Sequence, residues 1–221
     1  MTLKQRIHAD APLYIGIASV GMSEEQLAKC LADQPDMVFV DLQHEPYTEP
    51  QFAAFCATCE RLGIPALARA RHPELHAMLG SYLDFGAGGV LVPMVEDPQV
   101  VERSIQSFYY PPVGNRSCGL AHVWQRKNHP DPREYADWWN GNGILAIQIE
   151  TVKAVHTIRE LAQPGVDLIL FGGTDLQFSL DANPNCGFAS VAECRQYVLE
   201  QVADLPVRVG MSDLPFGKFG D

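Results

Sequence analysis

Four short stretches of the chain carry acids, bases and amides able to act on one small molecule. They are Asp41-Leu42-Gln43-His44-Glu45, Arg69-Ala70-Arg71, Gln148-Ile149-Glu150 and Gly172-Gly173-Thr174-Asp175. Each follows a short apolar run. Glu150 and Asp175 offer carboxylate oxygens, the donors that hard divalent cations such as Mg2+ or Mn2+ prefer, with water and substrate oxygens completing the shell. The competing reading is that each acid only caps the helix after it. Histidine titrates closest to neutrality of all side chains, so His44 is a candidate general base. Its plain alternative is a structural histidine with satisfied hydrogen bonds. Arg69 closes an apolar run, where a cation needs an anion. That anion is either Asp41 or Asp84 in a salt bridge, or a substrate carboxylate or developing enolate. Gly172 and Gly173 let a ligand approach the backbone closely and offer N–H groups to an anion.

Such residues cooperate only if the fold brings the four stretches to one face. Apolar runs alternate with helical patterns along the chain. The runs Leu13–Ser19, Met37–Asp41, Pro65–Arg69, Gly89–Pro93, Ile144–Glu150, Asp167–Gly172 and Pro206–Gly210 read as seven strands. Between them, Ser23-Glu24-Glu25-Gln26 and Thr48-Glu49-Pro50-Gln51 are capping boxes that open helices. Helices are further expected over Pro73–Phe85, Asp97–Ser107, Pro132–Asn140 and Val191–Ala203, and along the stripe Val152, Val155, Ile158 and Leu161. Tyr109–Asn128 reads as a long loop. Strands regularly separated by helices imply a parallel sheet with helices outside it, and the chemistry of such folds sits at the carboxyl ends of the strands. All four polar stretches fall there. The expected fold is therefore α/β, a TIM-type (β/α) barrel formed by residues 1–221 as one domain. It is C-terminally shortened, with seven strands readable, because Met211–Asp221 is too short for an eighth strand and its helix.

Composition narrows the partners. The chain has 221 residues, 47% of them hydrophobic and 19% charged, an ordinary globular balance. The net charge of −11 argues against nucleic acid and anionic membranes, since phosphates repel such a surface. No apolar run approaches the roughly 20 residues of a membrane span. The six cysteines are scattered in a chain that needs no cross-links, as expected in the cytoplasm. Cys56 and Cys59 form a C-x-x-C within a helical pattern and are expected to be small buried residues. The histidines other than His44 show no ligand spacing.

The stretches MVFVDLQHEP, LDFGAGGVLVPMVEDP, YYPPVGNRSCG, AIQIET and LFGGTDLQFSL, spanning about Met37 to Leu180, resemble the 4-hydroxy-2-oxoheptanedioate aldolase family (HpcH/HpaI, class II pyruvate aldolases). The resemblance implies that Glu150 and Asp175 are metal ligands and that His44 is the catalytic base, paired with Asp84. It implies that Arg69 stabilises an enolate and Gln148 contacts substrate. The backbone of Gly172, Gly173, Thr174 and Asp175 would take the pyruvate carboxylate. The cofactor would be one divalent cation, Mg2+ or Mn2+, with Co2+ or Zn2+ as further options. The chain departs from the family pattern at Gly172-Gly173-Thr174 and at Arg116-Ser117-Cys118-Gly119.

The implied reaction cleaves or forms a carbon–carbon bond between a pyruvate enolate and an aldehyde, with small-molecule 2-oxo acid and aldehyde as partners. No lysine at the strand ends is placed for a Schiff base, since Lys153 projects from a helical turn; this favours metal over imine chemistry. The same enolate arises from oxaloacetate, so a decarboxylase or a biosynthetic carbon–carbon-forming enzyme is the nearest alternative. A non-catalytic 2-oxo-acid-binding or assembly protein is the alternative from another class. A barrel lacking its eighth strand is also expected to rely on a neighbour, which predicts a homo-oligomer.

Overall fold

The computed structural model describes residues 1–125, 127–213 and 218–219. Seven parallel strands run in chain order: β1 (Leu13–Ala18), β2 (Met37–Asp41), β3 (Ala66–Arg69), β4 (Gly89–Val92), β5 (Ile144–Ile149), β6 (Leu168–Phe171) and β7 (Arg208–Asp213). Each pairs with its sequence neighbour, and helices cover the outside of the curled sheet. This is the α/β, barrel-type architecture expected from the alternating pattern.

Both faces of the sheet are buried, which is why the strands read as nearly unbroken apolar runs. The pleat sorts their residues. Val38, Val40, Ala68, Val90, Val92, Leu145 and Ile147 pack outward under the helices. Leu13, Ile15, Met37, Phe39, Leu67, Leu91, Ala146 and Leu170 form a second apolar cluster inside the curl. Two residues further along the same inward columns come Ile17, Asp41, Arg69, Gln148 and Gly172, because side chains on one face repeat every second residue.

A short helix over Leu3–His8, opened by a Thr2–Gln5 capping box, closes the amino-terminal end of the curl. Its Ile7 joins the inner cluster and Leu3 packs against it. Asp167, one residue before β6, anchors this plug. It is 1% exposed and pairs with Lys4 Nζ at 3.1 Å and His8 Nε2 at 2.8 Å. It also accepts from the Tyr109 hydroxyl at 3.0 Å and the Leu145 amide at 2.9 Å. Hydrogen bonding to Asp167 outweighs burial and raises the pKa of His8, while burial lowers that of Lys4 against the pull of the same carboxylate.

Several sequence expectations need correction. The stretch Pro73–Phe85 is two elements, a 3-10 helix over Pro73–Met78, within which Leu75 leaves helical geometry (φ −86°, ψ 24°), and an α-helix over Leu79–Asp84. The expected loop Tyr109–Asn128 contains a helix over Ala121–Gln125. Directly after β6 comes a helix that was not expected, over Gly173–Ala182, which buries Leu176 and Leu180 one turn apart. The tail also does more than expected. β7 continues to Asp213, and a two-residue strand β8 (Lys218–Phe219) pairs antiparallel with β1 through Leu13 and Tyr14. The tail thus covers the free edge of β1; residues 214–217 and 220–221, within the expected terminal stretch, lie outside the described residues. At the other edge, Arg208 at the start of β7 donates to the Ala11 carbonyl and meets Asp10 at 3.2 Å, tying β7 to the segment that leads into β1.

Cys56 and Cys59 are buried on the helix Glu49–Arg61 as expected, and burial pushes the Cys59 thiol up to about 12. No helix among the described residues is long and apolar enough to cross a membrane.

Candidate active site

The inward columns change character at the carboxyl ends of the strands. Arg69, on β3, spans the mouth of the curl: its Nε and Nη2 take the two oxygens of Asp41 on β2 at 3.0 and 2.5 Å. Its Nη1 lies 3.4 Å from Gln148 Oε1 on β5, and its guanidinium rests over the Phe39 ring, 5.6 Å from the centroid. Burial would raise the Asp41 carboxyl, but the hydrogen bonds and charge of Arg69 prevail and hold it below the usual range. The arginine is thus both salt-bridged, as one sequence reading had it, and turned toward the interior.

Glu150 follows β5 by one residue and is 3% exposed. It does not cap the next helix; Thr151 does. Instead its Oε1 accepts from the Met94 amide at 2.6 Å. Burial, with the neighbouring Asp175 carboxylate adding to it, pushes the Glu150 carboxyl up to about 7 against the opposing Met94 N–H and Arg69 charge. Asp175 lies in the exposed first turn of the helix Gly173–Ala182 and makes no capping bond. Gly172 lets these groups converge: a β-carbon there would stand 2.2 Å from Glu150 Oε2 and 2.7 Å from Gln148 Nε2. The amides of Gly173, Thr174 and Asp175 open the same helix, where first-turn N–H groups lack carbonyl partners.

Two buried or adjacent carboxylates that repel each other, from neighbouring strand ends, suit a hard divalent cation. Among the described residues no third His, Cys, Asp or Glu joins them. Water and substrate oxygens would therefore complete the shell.

His44 sits three residues beyond β2, exposed, with its amide 3.3 Å from Asp41 Oδ1. Asp84 stands apart from this group. It ends the helix Leu79–Asp84, whose buried face is Leu79, Tyr82 and Leu83, on the helical layer outside the sheet. Its partner is Arg116 Nη2 at 2.6 Å. Arg116 is itself held between the rings of Tyr110 and Trp139, each 4.7 Å away. Gly86, two residues after Asp84, lines a cavity of about 290 Å³ at the amino-terminal end of the strands, together with Pro65, Gly88 and Ile144. A single chain therefore brings together Asp41, Arg69, Gln148, Glu150, Gly172 and Asp175, with the His44 backbone beside Asp41, while Asp84 lies apart from them.

Sequence reasoning gave Gln43 no role of its own and missed Met94. Among the described residues the buried Gln43 Oε1 has no hydrogen-bond partner, while its Nε2 reaches Met94 Sδ at 3.9 Å. Met94 adopts a left-handed conformation (φ 48°) that aims its amide at Glu150. Such a conformation is uncommon outside glycine, asparagine and aspartate, so a methionine gives no signal for it. Gln43 had one: it shares the parity of Asp41 just past a strand. The mouth is rimmed by apolar surface, with Ile17 and Met94 43% and 48% exposed.

Comparison with known proteins identifies the family of the chain. Residues 15–207 match the family model described as HpcH/HpaI aldolase/citrate lyase. The chain is 30% identical over 144 residues to a 2-dehydro-3,6-dideoxy-6-sulfogluconate aldolase of Pseudomonas putida, covering 64% of this chain and 54% of that protein. It is 29% identical over 170 residues to a 4-hydroxy-2-oxovalerate aldolase of Novosphingobium aromaticivorans, covering 76% and 63%. The matched region thus spans between half and two thirds of these relatives' length. The crystal structure of an HpcH/HpaI aldolase from Desulfitobacterium hafniense DCB-2 superposes with a TM-score of 0.81 at 26% identity, over 95% of this chain and 81% of that one.

Proposed function

Because the chain belongs to the HpcH/HpaI aldolase/citrate lyase family, we propose that it is a divalent-metal-dependent aldolase that joins or parts a pyruvate-type enolate and an aldehyde. The observation that carries this reading is the packing of Glu150 and Gln148 against Gly172, with Arg69 beside them. Glu150 and Asp175 hold the cation, Mg2+ or Mn2+, which when bound polarises the 2-oxo carbonyl and offsets charge on the enolate.

The chain's own residues do the rest. The amides of Gly173, Thr174 and Asp175 bind the carboxylate of the 2-oxo acid, as the open turn of a helix binds anions. In the cleavage direction His44 takes the proton of the 4-hydroxyl. The C3–C4 bond breaks, its electrons passing into the enolate, and the aldehyde leaves. Arg69, fixed by Asp41, stabilises the enolate oxygen. Gln148 orients the same group. His44 then returns its proton to C3 to give pyruvate; addition to an aldehyde is the reverse.

Asp84 enters this scheme only from a second copy of the chain. The segment around it is suited to an interface, with Val113 and Leu120 46% and 76% exposed. Apolar side chains are also exposed at the rim of the mouth, at Ile17 and Met94. A homo-oligomer in which Asp84 of one copy meets His44 of the next would cover these two surfaces. Co-assembly of His44→Ala with Asp84→Asn chains tests this, since a shared site regains activity in the mixture and separate sites do not. For the reaction itself, release of pyruvate from a panel of 4-hydroxy-2-oxo acids is measured before and after chelation and on return of Mg2+ or Mn2+. Pyruvate release indifferent to chelation, or none with the metal restored, would refute the reading.

A further inference from the structure

The cavity at the amino-terminal ends of β3, β4 and β5 is built differently from the mouth. Gly63, Gly86 and Gly88, on the turns into β3 and β4, leave about 290 Å³ unfilled. Ile64, Pro65 and Ile144 line it from the strand ends and Leu3 from the plug helix. The helix Pro132–Asn142 contributes the indoles of Trp138 and Trp139. Both indoles are already held. Trp138 stacks on Tyr135, ring centroids 5.8 Å apart at 27°, and Trp139 donates through Nε1 to the Phe108 carbonyl at 2.9 Å. Aromatic walls fixed before binding spare a ligand much of the cost of ordering them.

Among the described residues, Glu60 and Lys127 are the charged groups that line this cavity. They pair with each other at 2.6 Å and are 28% and 32% exposed. An ion pair this open to solvent holds weakly and opens readily. The lining is therefore apolar, aromatic and neutral in sum. A lone carboxylate on a ligand would meet Glu60 and a lone ammonium would meet Lys127, and like charges brought together are costly. A neutral head group leaves the pair closed, whereas a zwitterion opens it and matches each charge with its opposite. Size sets the other limit. An apolar cavity of about 150 Å³ holds benzene, so this larger one takes a single ring with a short substituent.

We propose that this cavity is a second binding site, separate from the aldolase centre, for a single-ring aromatic compound of no net charge. The ring meets the indole of Trp138, and the head group reaches Glu60 and Lys127.

The test is titration of the native protein with benzyl alcohol, L-phenylalanine, phenylacetate and phenethylamine, followed by calorimetry and by tryptophan emission. Benzyl alcohol or L-phenylalanine saturates the site at millimolar concentration or below, as a ligand of this size can. It binds at least about tenfold more tightly than either singly charged compound. The tighter of the two shows whether the preferred head group is uncharged or zwitterionic. Trp138→Ala weakens binding by about tenfold. Glu60→Gln leaves Lys127 as the charge at the cavity and shifts the preference about tenfold toward phenylacetate; Lys127→Gln shifts it as far toward phenethylamine. Neither of these two exchanges removes a buried apolar group, so they test the site even if Trp138→Ala does not fold. Three results would each overturn the proposal. One is no saturation by any of the four compounds, and another is equal affinity for charged and uncharged ones. The third is a charge preference that Glu60→Gln and Lys127→Gln leave unmoved.

Discussion

The carboxylate of Glu150 lies so close to the α-carbon of Gly172 that one added methyl group would stand 2.2 Å from its Oε2. Both atoms belong to neighbouring strand ends, so neither is free to retreat. Gly172→Ala should push Glu150 from its place beside Asp175 and reduce turnover by about 100-fold, the scale of a 1 Å misplacement of a reacting group. Steady-state kinetics with circular dichroism checks this; a folded variant at native rate would show that the close approach has no catalytic meaning.

Removing one oxygen donor should remove the metal. For Glu150→Gln or Asp175→Asn, Mn2+ affinity followed by electron paramagnetic resonance should fall by more than the about 10–100-fold typical of supporting residues. Activity should fall with it. Full occupancy in the double variant would place the cation elsewhere.

His44→Ala should slow pyruvate release by about 10²–10⁴-fold while Mn2+ binding and fold persist. The exposed imidazole supports no packing, so wild-type turnover in this variant would assign His44 no part in proton transfer.

A pH effect belongs to the plug at the opposite end. The Asp167 hydrogen bond raises the folded pKa of His8, so the folded chain binds that proton more tightly than the unfolded one. The stabilisation is complete below the unfolded value of about 6.5 and is lost as pH rises through the folded value. The ring is about a third exposed, 32%, so solvent screening limits the effect. His8→Gln should cost about 1 kcal/mol at pH 5.5 and clearly less at pH 9 in urea unfolding. Equal losses at both values would mean that His8 acts by packing alone.

The strand pattern was legible because burial on both faces writes each strand as an apolar run, and because polar residues interrupt that run only at the carboxyl end. Met37–Asp41 shows this: four buried residues and then an acid. Asp41, Arg69, Gln148 and Glu150 could therefore be placed on one face in advance. Pairings across distant segments could not. Nothing near Asp84 in the sequence announces Arg116, because their meeting depends on how the segment after Tyr109 folds back over a helix end. Nor does the sequence around Asp167 announce Lys4 and His8, more than 150 residues away. Met94 was illegible for a different reason, since its role is carried by a backbone amide and a dihedral angle that its side chain does not advertise.

The inner columns of the curl divide labour by height. On β2, Met37 and Phe39 fill the interior and Asp41 reaches the mouth; on β5, Ile144 and Ala146 fill it and Gln148 reaches the mouth. The lower rungs answer to volume and the uppermost rung answers to solvent and ligand. A mutation two residues along a single strand thus moves from one kind of selection to another. Exchanging the top rungs would be expected to re-tune what the chain acts on while the lower rungs keep it folded. Function here can drift along four or five positions without the barrel having to be rebuilt.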